Sequence, residues 1–362
     1  MNIGILTFHR CINYGSYWQA RCLAEGLKKH GYKVSIIDHH SIRVNNAEWR
    51  CALQPVLPTP VHRSDYPLYR KKINNFNQAF CELPLSEKIP LEHPEQMEDY
   101  DLVVVGSDEV WNLSHPWYGY YPIFYGEGIR AKRIVAYAAS FGNYDVTWKP
   151  DQNWIDKLHR FDSISVRDEN SQTIINNILG FKPEMVLDPC LQFPAELKNN
   201  EQHYAYPFLA VYGHNFSDYF ISYIQKYARE RKIPLISIGY RNDWADEQWI
   251  TAGPLEFASF IEQSEAVVTN FFHGCVFAVL NSKPFVCETT PYRSHKIKDL
   301  MKKAGSENHM MNAYTPFNIY ENKLNNPIDS HIHKNIALFR EISNNYLNKA
   351  LITYTVSSYE NL

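Results

Sequence analysis

Short apolar runs, each stopped by a glycine or a polar residue, recur along this chain. The first is ILTF at 5–8. From Gly15 to His30, Ala20, Leu23, Ala24 and Leu27 fall on one helical face, and KVSIID follows at 33–38. This spacing predicts a β-α-β unit opening a parallel sheet, because strands buried on both faces read as unbroken apolar runs. DLVVVG at 101–106, KRIVAYAAS from 132, DSISV from 162 and EMVLD from 184 are further strands of the same kind. Helices are expected at 151–160 and 168–179, the latter capped by Asp168 or Asn170. Between 51 and 97 the texture changes: seven of the twenty prolines fall there and no period is sustained, although NNFNQAF can make a short helix. That stretch is expected to be a long excursion from the sheet.

A second β/α series follows the polar stretch 196–205. It runs YPFLAVYG, a helix from about Ser217 to Glu230, PLISIGY, a helix across Leu255 to Gln263, EAVVT, a helix from about Gly274 to Leu280, and KPFVCE. Ile336, Leu338, Phe339, Ile342 and Leu347 recur at roughly helical spacing in a terminal segment. The expected organisation is a domain at 1–195, a second at 196–309 and a C-terminal helical segment at 310–362. A length of 362 residues suits two domains.

Composition narrows the function classes. With 45% hydrophobic and 21% charged residues the chain is ordinary globular material. Its 36 lysines and arginines against 39 acids leave a net charge of -3, so no global basic field favours nucleic acid or anionic lipid, and a bound anion needs a local site. Seven scattered cysteines with no CxxC or zinc spacing suit a reducing compartment. The apolar stretch from Ile3 to Phe8 is too short for a signal-peptide core, and no run approaches the ~20 apolar residues that cross a bilayer. The expected location is the cytoplasm. Asp38, His39 and His40 are adjacent, so their side chains diverge, and no metal is expected there. GxGxxG after the first strand, GxxxxGK[ST], GxSxG and HExxH are absent, which removes support for dinucleotide, P-loop, serine-hydrolase and zincin chemistry.

Ligands of open parallel sheets bind beyond the carboxyl ends of the strands, and polar, small and cationic residues concentrate at those ends. After EAVVT, the turn NFFHG starts a helix near His273 or Gly274. Free amide N–H groups and the positive dipole end make an anion site there, Gly274 allows close backbone approach, and histidine can give or take a proton near neutral pH. The competing reading has His273 capping its own helix or packing on Phe271 and Phe272. In GSDEVWN, Ser107 and Asp108 can bond sugar hydroxyls or simply cap a turn, and Trp111 offers a face on which a sugar ring stacks. Arg167 can serve an anion or pair with Asp168. Arg293, Lys296 and Lys298 follow the last strand, where a solvated helix face is the default for such a run.

Taken in order, GILTFHRCINYGSYWQARCLAEGLKKHGYKVSIIDH, DLVVVGSDEVWN, AYAASFG, ISVRDENS, VLDPCLQF and VVTNFFHGCVFAVLNSKPFV with YRSHKIKDL resemble the polysaccharide pyruvyl transferase family over about residues 3 to 303. The resemblance implies an α/β fold similar to glycosyltransferase-B, with two Rossmann-like domains facing across a cleft. It implies transfer of a pyruvyl group from phosphoenolpyruvate to a glycan or lipid-linked oligosaccharide, usually as a cyclic ketal, with phosphoenolpyruvate as donor substrate and no cofactor. A lipid-linked acceptor would bring the protein to the inner face of the membrane as a peripheral contact. The implied catalytic group is His273. Arg167, Gly274, Arg293 and Lys296 are the expected phosphoenolpyruvate ligands, and Asn13, Tyr17, Ser107, Asp108 and Trp111 the acceptor side. No metal ligand set is expected. Asn270 and Phe271 stand where the family often reads aspartate-serine, Glu109 where glutamine is common, and Tyr17 and Trp18 are bulkier than the usual residues. A changed substrate is the expected consequence. The competing assignments are a nucleotide-sugar-dependent glycosyltransferase of the same architecture and a non-catalytic carbohydrate-binding relative.

Overall fold

In the computed structural model, which describes residues 1–147, 150–195, 204–289 and 294–352, the apolar runs of the first half become one sheet. Its strands are β1 (Asn2–Leu6), β2 (Lys33–His40), β3 (Leu85–Pro90), β4 (Tyr100–Val105), β5 (Ala131–Ala139), β6 (Ser163–Val166) and β7 (Glu184–Met185). They lie in the order β3-β2-β1-β4-β5-β6-β7, with every neighbouring pair parallel. Helices α1 (Tyr14–Lys29), α2 (Ile42–Leu53), α3 (Tyr66–Phe80), α4 (Gln152–Leu158), α5 (Glu169–Leu179) and α6 (Pro189–Gln192) connect and cover them.

The second sheet holds β8 (Leu209–Tyr212), β9 (Leu235–Ile238), β10 (Glu247–Trp249), β11 (Ala266–Thr269), β12 (Phe285–Glu288) and β13 (Met310–Met311), ordered β10-β9-β8-β11-β12-β13 and again parallel throughout. Its helices are α7 (Asp218–Arg231), α8 (Pro254–Gln263), α9 (Phe272–Leu280), α10 (Ser294–Ala304), α11 (Phe317–Asn325) and α12 (Ser330–Leu351). Strand order reverses between β1 and β4 in one sheet and between β8 and β11 in the other. These are the switch points where loops diverge and leave a crevice at the carboxyl edge. Two Rossmann-like units of the glycosyltransferase-B type, with a C-terminal helical segment, are therefore present as expected.

The units share an apolar core built on α1. Tyr14 stacks on Phe257 of α8 at 4.4 Å between ring centroids, and its hydroxyl donates to the Ala252 carbonyl at 2.8 Å. Trp18 Nε1 donates to the Pro254 carbonyl at 2.9 Å. Their polar tips are thus satisfied while the rings leave water, the condition under which a buried Tyr or Trp stabilises. Helix α12 ties the chain end back to the first sheet: the Ser343 hydroxyl accepts from Leu187 N at 2.9 Å and Tyr346 donates to the Ala136 carbonyl at 2.7 Å. Among the described residues no helix is long and apolar enough to cross a membrane.

The segment 51–97 is more regular than its sequence suggests. It contains the end of α2, all of α3, and β3 at the sheet edge. Helix α3 buries Tyr69, Lys72, Ile73, Phe76 and Phe80 at helical spacing, but a lysine on the inner face and flanking asparagines hide the period. It also bridges the two units. Lys72 Nζ donates to the Gly239 carbonyl at 2.9 Å, Asn75 Nδ2 to the Thr251 carbonyl at 2.8 Å, and Asp65 pairs with Arg241. The expected strand EMVLD pairs at only two residues, and the terminal helix begins earlier than its apolar period, at Ser330.

Candidate active site

The two crevices face each other and enclose a pocket of about 270 Å³. The first unit contributes Asn13 and Ser16 from the start of α1, Asp108 and Glu109 after β4, Asn143, and Arg167 after β6. The second contributes Tyr212, His214, Tyr240, Phe271, Phe272, His273 and Lys296. The first unit's side is polar and charged, and the second brings the aromatic rings together with His273 and Lys296. Local sequence explains several placements. Asn13 caps α1, its Oδ1 accepting from Gly15 N at 2.8 Å and Ser16 N at 3.3 Å, which holds the loop after β1 at the pocket. Asp168 caps α5 by accepting from Ser171 N at 2.7 Å, and so leaves its neighbour Arg167 to turn inward.

His273 stands in the first turn of α9. That helix starts one residue earlier than expected, at Phe272, and Phe271 at its N-cap supplies no side-chain cap. The first amides of the helix therefore lack intrahelical acceptors at the pocket. The imidazole is 12% exposed and neither caps the helix nor is sealed in apolar packing. Its Nε2 lies 3.5 Å from Asp188 Oδ2 yet makes no hydrogen bond among the described residues, and Nδ1 faces Gly15 of α1.

Arg167 does not pair with Asp168. Its Nη2 donates to Asp108 Oδ1 at 3.1 Å and its Nη1 to Asp188 Oδ2 at 3.2 Å, while the guanidinium lies 5.2 Å from the Phe272 ring centroid. Asp108 Oδ2 also accepts from the Ser16 hydroxyl at 2.7 Å. Burial opposes ionisation of Asp108, but Arg167, the Ser16 hydroxyl and Lys296 outweigh it and hold the carboxyl below its ordinary value. Asp188 is likewise buried, and the His273 ring and Arg167 hold it well below the usual carboxylate range. Lys296 leaves the solvated face of α10, where Lys298 remains exposed, and pairs with Glu109. Burial pushes its ammonium down to about 8. Every one of these cations thus already faces a carboxylate. Asp188, Cys190 and His273 each bring a ligand atom within 4.8 Å of one another, a spacing compatible with a metal ion, although Arg167 already pairs with the Asp188 carboxylate.

Several expected site residues lie elsewhere. Tyr17 is fully buried in the face of α1 toward Phe80 and accepts from Arg21 at 3.0 Å, and Trp18 serves the contact between the units, so the bulk of both is spent in the core. Ser107 is buried and donates to Gln19 Oε1 at 2.7 Å. Trp111 is also fully buried, with Nε1 donating to the Phe124 carbonyl at 2.8 Å, and offers no face to a sugar. The close approach at Gly274 is to Thr269, whose hydroxyl a Cβ would strike, and Gly274 does not line the pocket. Arg293 lies outside the described residues. Sequence reasoning missed Ser16, Glu109, Asn143, Asp188 and the aromatic wall of Tyr240, Phe271 and Phe272. Asp188 carried a signal, since VLDP ends the last apolar run of the first series.

The family model described as Polysaccharide pyruvyl transferase matches residues 13–290. No curated protein matches. Among solved structures, UDP-GlcNAc 2-epimerase from Neisseria meningitidis bound to UDP-GlcNAc is similar, with 11% identity, 96% of this chain and 100% of that chain covered, and a TM-score of 0.51. UDP-GlcNAc 2-epimerase from Methanocaldococcus jannaschii in complex with UDP-GlcNAc and UDP is similar too, with 12% identity, 95% and 100% covered, and a TM-score of 0.50. At these identities the likeness is one of fold.

Proposed function

The chain belongs to the polysaccharide pyruvyl transferase family, a family of transferases, and from that premise we propose that it moves the pyruvyl group of phosphoenolpyruvate onto hydroxyls of a sugar in a polysaccharide precursor. The observation that carries the reading is the convergence of His273, at the uncapped start of α9, with Arg167 and Lys296 on one pocket between the two units. Phosphoenolpyruvate is a compact phosphate and carboxylate, and charge-assisted donors at a helix N-terminus suit it. Bound there, its anionic groups take over Arg167 and Lys296 from Asp108 and Glu109. This exchange sets the donor against groups already present in the site.

The steps balance without a redox cofactor. A proton passes to the enol methylene, with His273 as the proton-transferring group, so that C2 gains oxocarbenium character. A sugar hydroxyl adds to C2 and loses its proton. The C2–O bond to phosphate then breaks, phosphate departs with the bonding pair toward the cations, and a second sugar hydroxyl closes the ketal and releases the last proton. Asn13, Ser16 and Asp108 offer polar contacts to the sugar hydroxyls, while Tyr240 and Phe271 supply the apolar surface for its ring, the role Trp111 cannot fill.

The test is to incubate the protein with phosphoenolpyruvate and a panel of free and lipid-linked glycans, measure inorganic phosphate, and weigh the products. The expected product gains the mass of pyruvic acid less one water, and His273→Ala lowers turnover by about 10²- to 10⁴-fold. Nucleotide release from a nucleotide sugar, with no phosphate from phosphoenolpyruvate, would overturn the reading in favour of glycosyl transfer.

A further inference from the structure

The hairpin of α2 and α3 carries a charge pattern that the pocket does not use. Residues 41–72 hold six lysines and arginines against two acids, in a chain whose net charge is -3. Both acids are turned inward. Glu48 accepts from Trp117 Nε1 at 2.7 Å and Ile12 N at 3.3 Å, and Asp65 is occupied by Arg241. Five of the six cations are exposed, and Arg50, Arg63, Arg70 and Lys71 make no ion pair among the described residues. Large apolar side chains stand exposed on the same hairpin: Ile42 at 79%, Trp49 at 50% and Val56 at 77%.

Placement relates this surface to the pocket. Helix α2 leaves the carboxyl end of β2, the edge of the sheet on which the pocket opens. The Glu48 bond to Ile12 joins it to the loop whose next residue, Asn13, lines the pocket. Arg43 extends the contact by donating to the Trp117 carbonyl at 3.1 Å and lying 5.1 Å from the Tyr121 ring centroid.

We propose that this hairpin docks the protein on an anionic lipid bilayer, with the pocket edge turned toward the membrane. Unpaired cations attract acidic headgroups, and the net negative charge of the remainder orients the molecule with this face inward. The aliphatic tips enter the boundary between headgroups and acyl chains, and a tryptophan suits that depth. Nucleic acid would answer the cations but gain nothing from exposed Ile42 and Val56. A bilayer answers both. The proposal stands apart from the donor chemistry, because it invokes no pocket residue.

Flotation of the purified full chain with vesicles of phosphatidylcholine, alone or mixed with phosphatidylglycerol, tests it. Binding is expected only to the mixed vesicles and is expected to fall with salt. The triple variant Arg50→Glu, Arg63→Glu, Lys71→Glu should reduce the bound fraction at least about tenfold, and Trp49→Ala should reduce it at unchanged charge. Both variants should keep wild-type circular dichroism and wild-type turnover of a free, soluble acceptor. Equal flotation with neutral and mixed vesicles, an unaffected triple variant, or retention on DNA at salt that releases the vesicles would each overturn the proposal.

Discussion

Gly15 of α1 and His273 of α9 meet face to face across the two units, so closely that a Cβ at Gly15 would overlap the imidazole at Nδ1. Gly15 lies within a helix and is not held at positive φ, so alanine is acceptable to the backbone there, and the nearest atoms a Cβ would meet are those of the histidine ring. Gly15→Ala is therefore expected to push the ring from its place beside Asp188 while the fold is kept. A displacement of about 1 Å in a positioned group costs on the order of 10²-fold in rate. The check is turnover with phosphoenolpyruvate beside circular dichroism. Wild-type turnover would show that the position of His273 does not matter to the reaction.

Arg167 is the shared partner of the buried Asp188 and the largely buried Asp108, and removing it takes from both the cation hydrogen-bonded to them. Arg167→Met is expected to cost about 3–5 kcal/mol in urea unfolding, the range for breaking a buried pair from one side. The pH dependence has a definite sign. Asp108 and Asp188 are both held below the ordinary value of 3.8, so their contribution is present above that value and lost as the pH falls below it. The stability difference between wild type and variant should therefore narrow as the pH falls below 3.8. A difference that stays constant through the acid range would mean that other groups set the ionisation of the pair.

Glu109 pairs with Lys296 at the pocket and thereby competes with an incoming anion. Glu109→Gln is expected to lower the KM for phosphoenolpyruvate several-fold and to change kcat little. Burial pushes Lys296 down to about 8, so its charge is lost as the pH rises through that value. Donor affinity should weaken above it in wild type and variant alike. A KM that rises in the variant would make Glu109 a ligand of the donor complex rather than its competitor.

What could be read in the chain and what could not divide along the range of the interactions involved. Strand runs such as DLVVVG, the periodic face of α1, and the polar loops at strand ends are local patterns, and the sheets follow them. Local pattern marks His273, Arg167 and Lys296 only as polar groups after strands, each with a capping, pairing or solvated-face alternative, and it is the family resemblance that assigns them to one site. Their pairing partners were not legible. Asp188 and Asp108 reach Arg167 across 21 and 59 residues, a pairing no spacing encodes. Trp111 sits in a polar loop and reads as exposed, yet its ring is enclosed by Phe141 and Phe161 brought in by other connections. Helix α3 was obscured because the residue at the centre of its inner face is a lysine.

That lysine, Lys72, is enclosed by aromatic rings, its Nζ lying 5.0 Å from the Tyr14 centroid and 4.4 Å from that of Tyr240, which lines the pocket. Burial pushes its ammonium down to about 7 from an ordinary 10.5. Between those values the unfolded chain holds a proton that the folded chain has lost. The resulting penalty on the native state is therefore full below about 7 and is relieved as the pH rises toward 10.5. Lys72→Met keeps most of the packing and removes the titration, at a cost of about 1–3 kcal/mol for the Gly239 carbonyl left without its donor. The wild type is thus expected to gain stability relative to Lys72→Met as the pH rises between about 6 and 9, with the difference measured by urea unfolding at each pH. Parallel profiles would mean that Lys72 keeps its proton throughout, with the rings over its Nζ stabilising the ammonium enough to offset its burial.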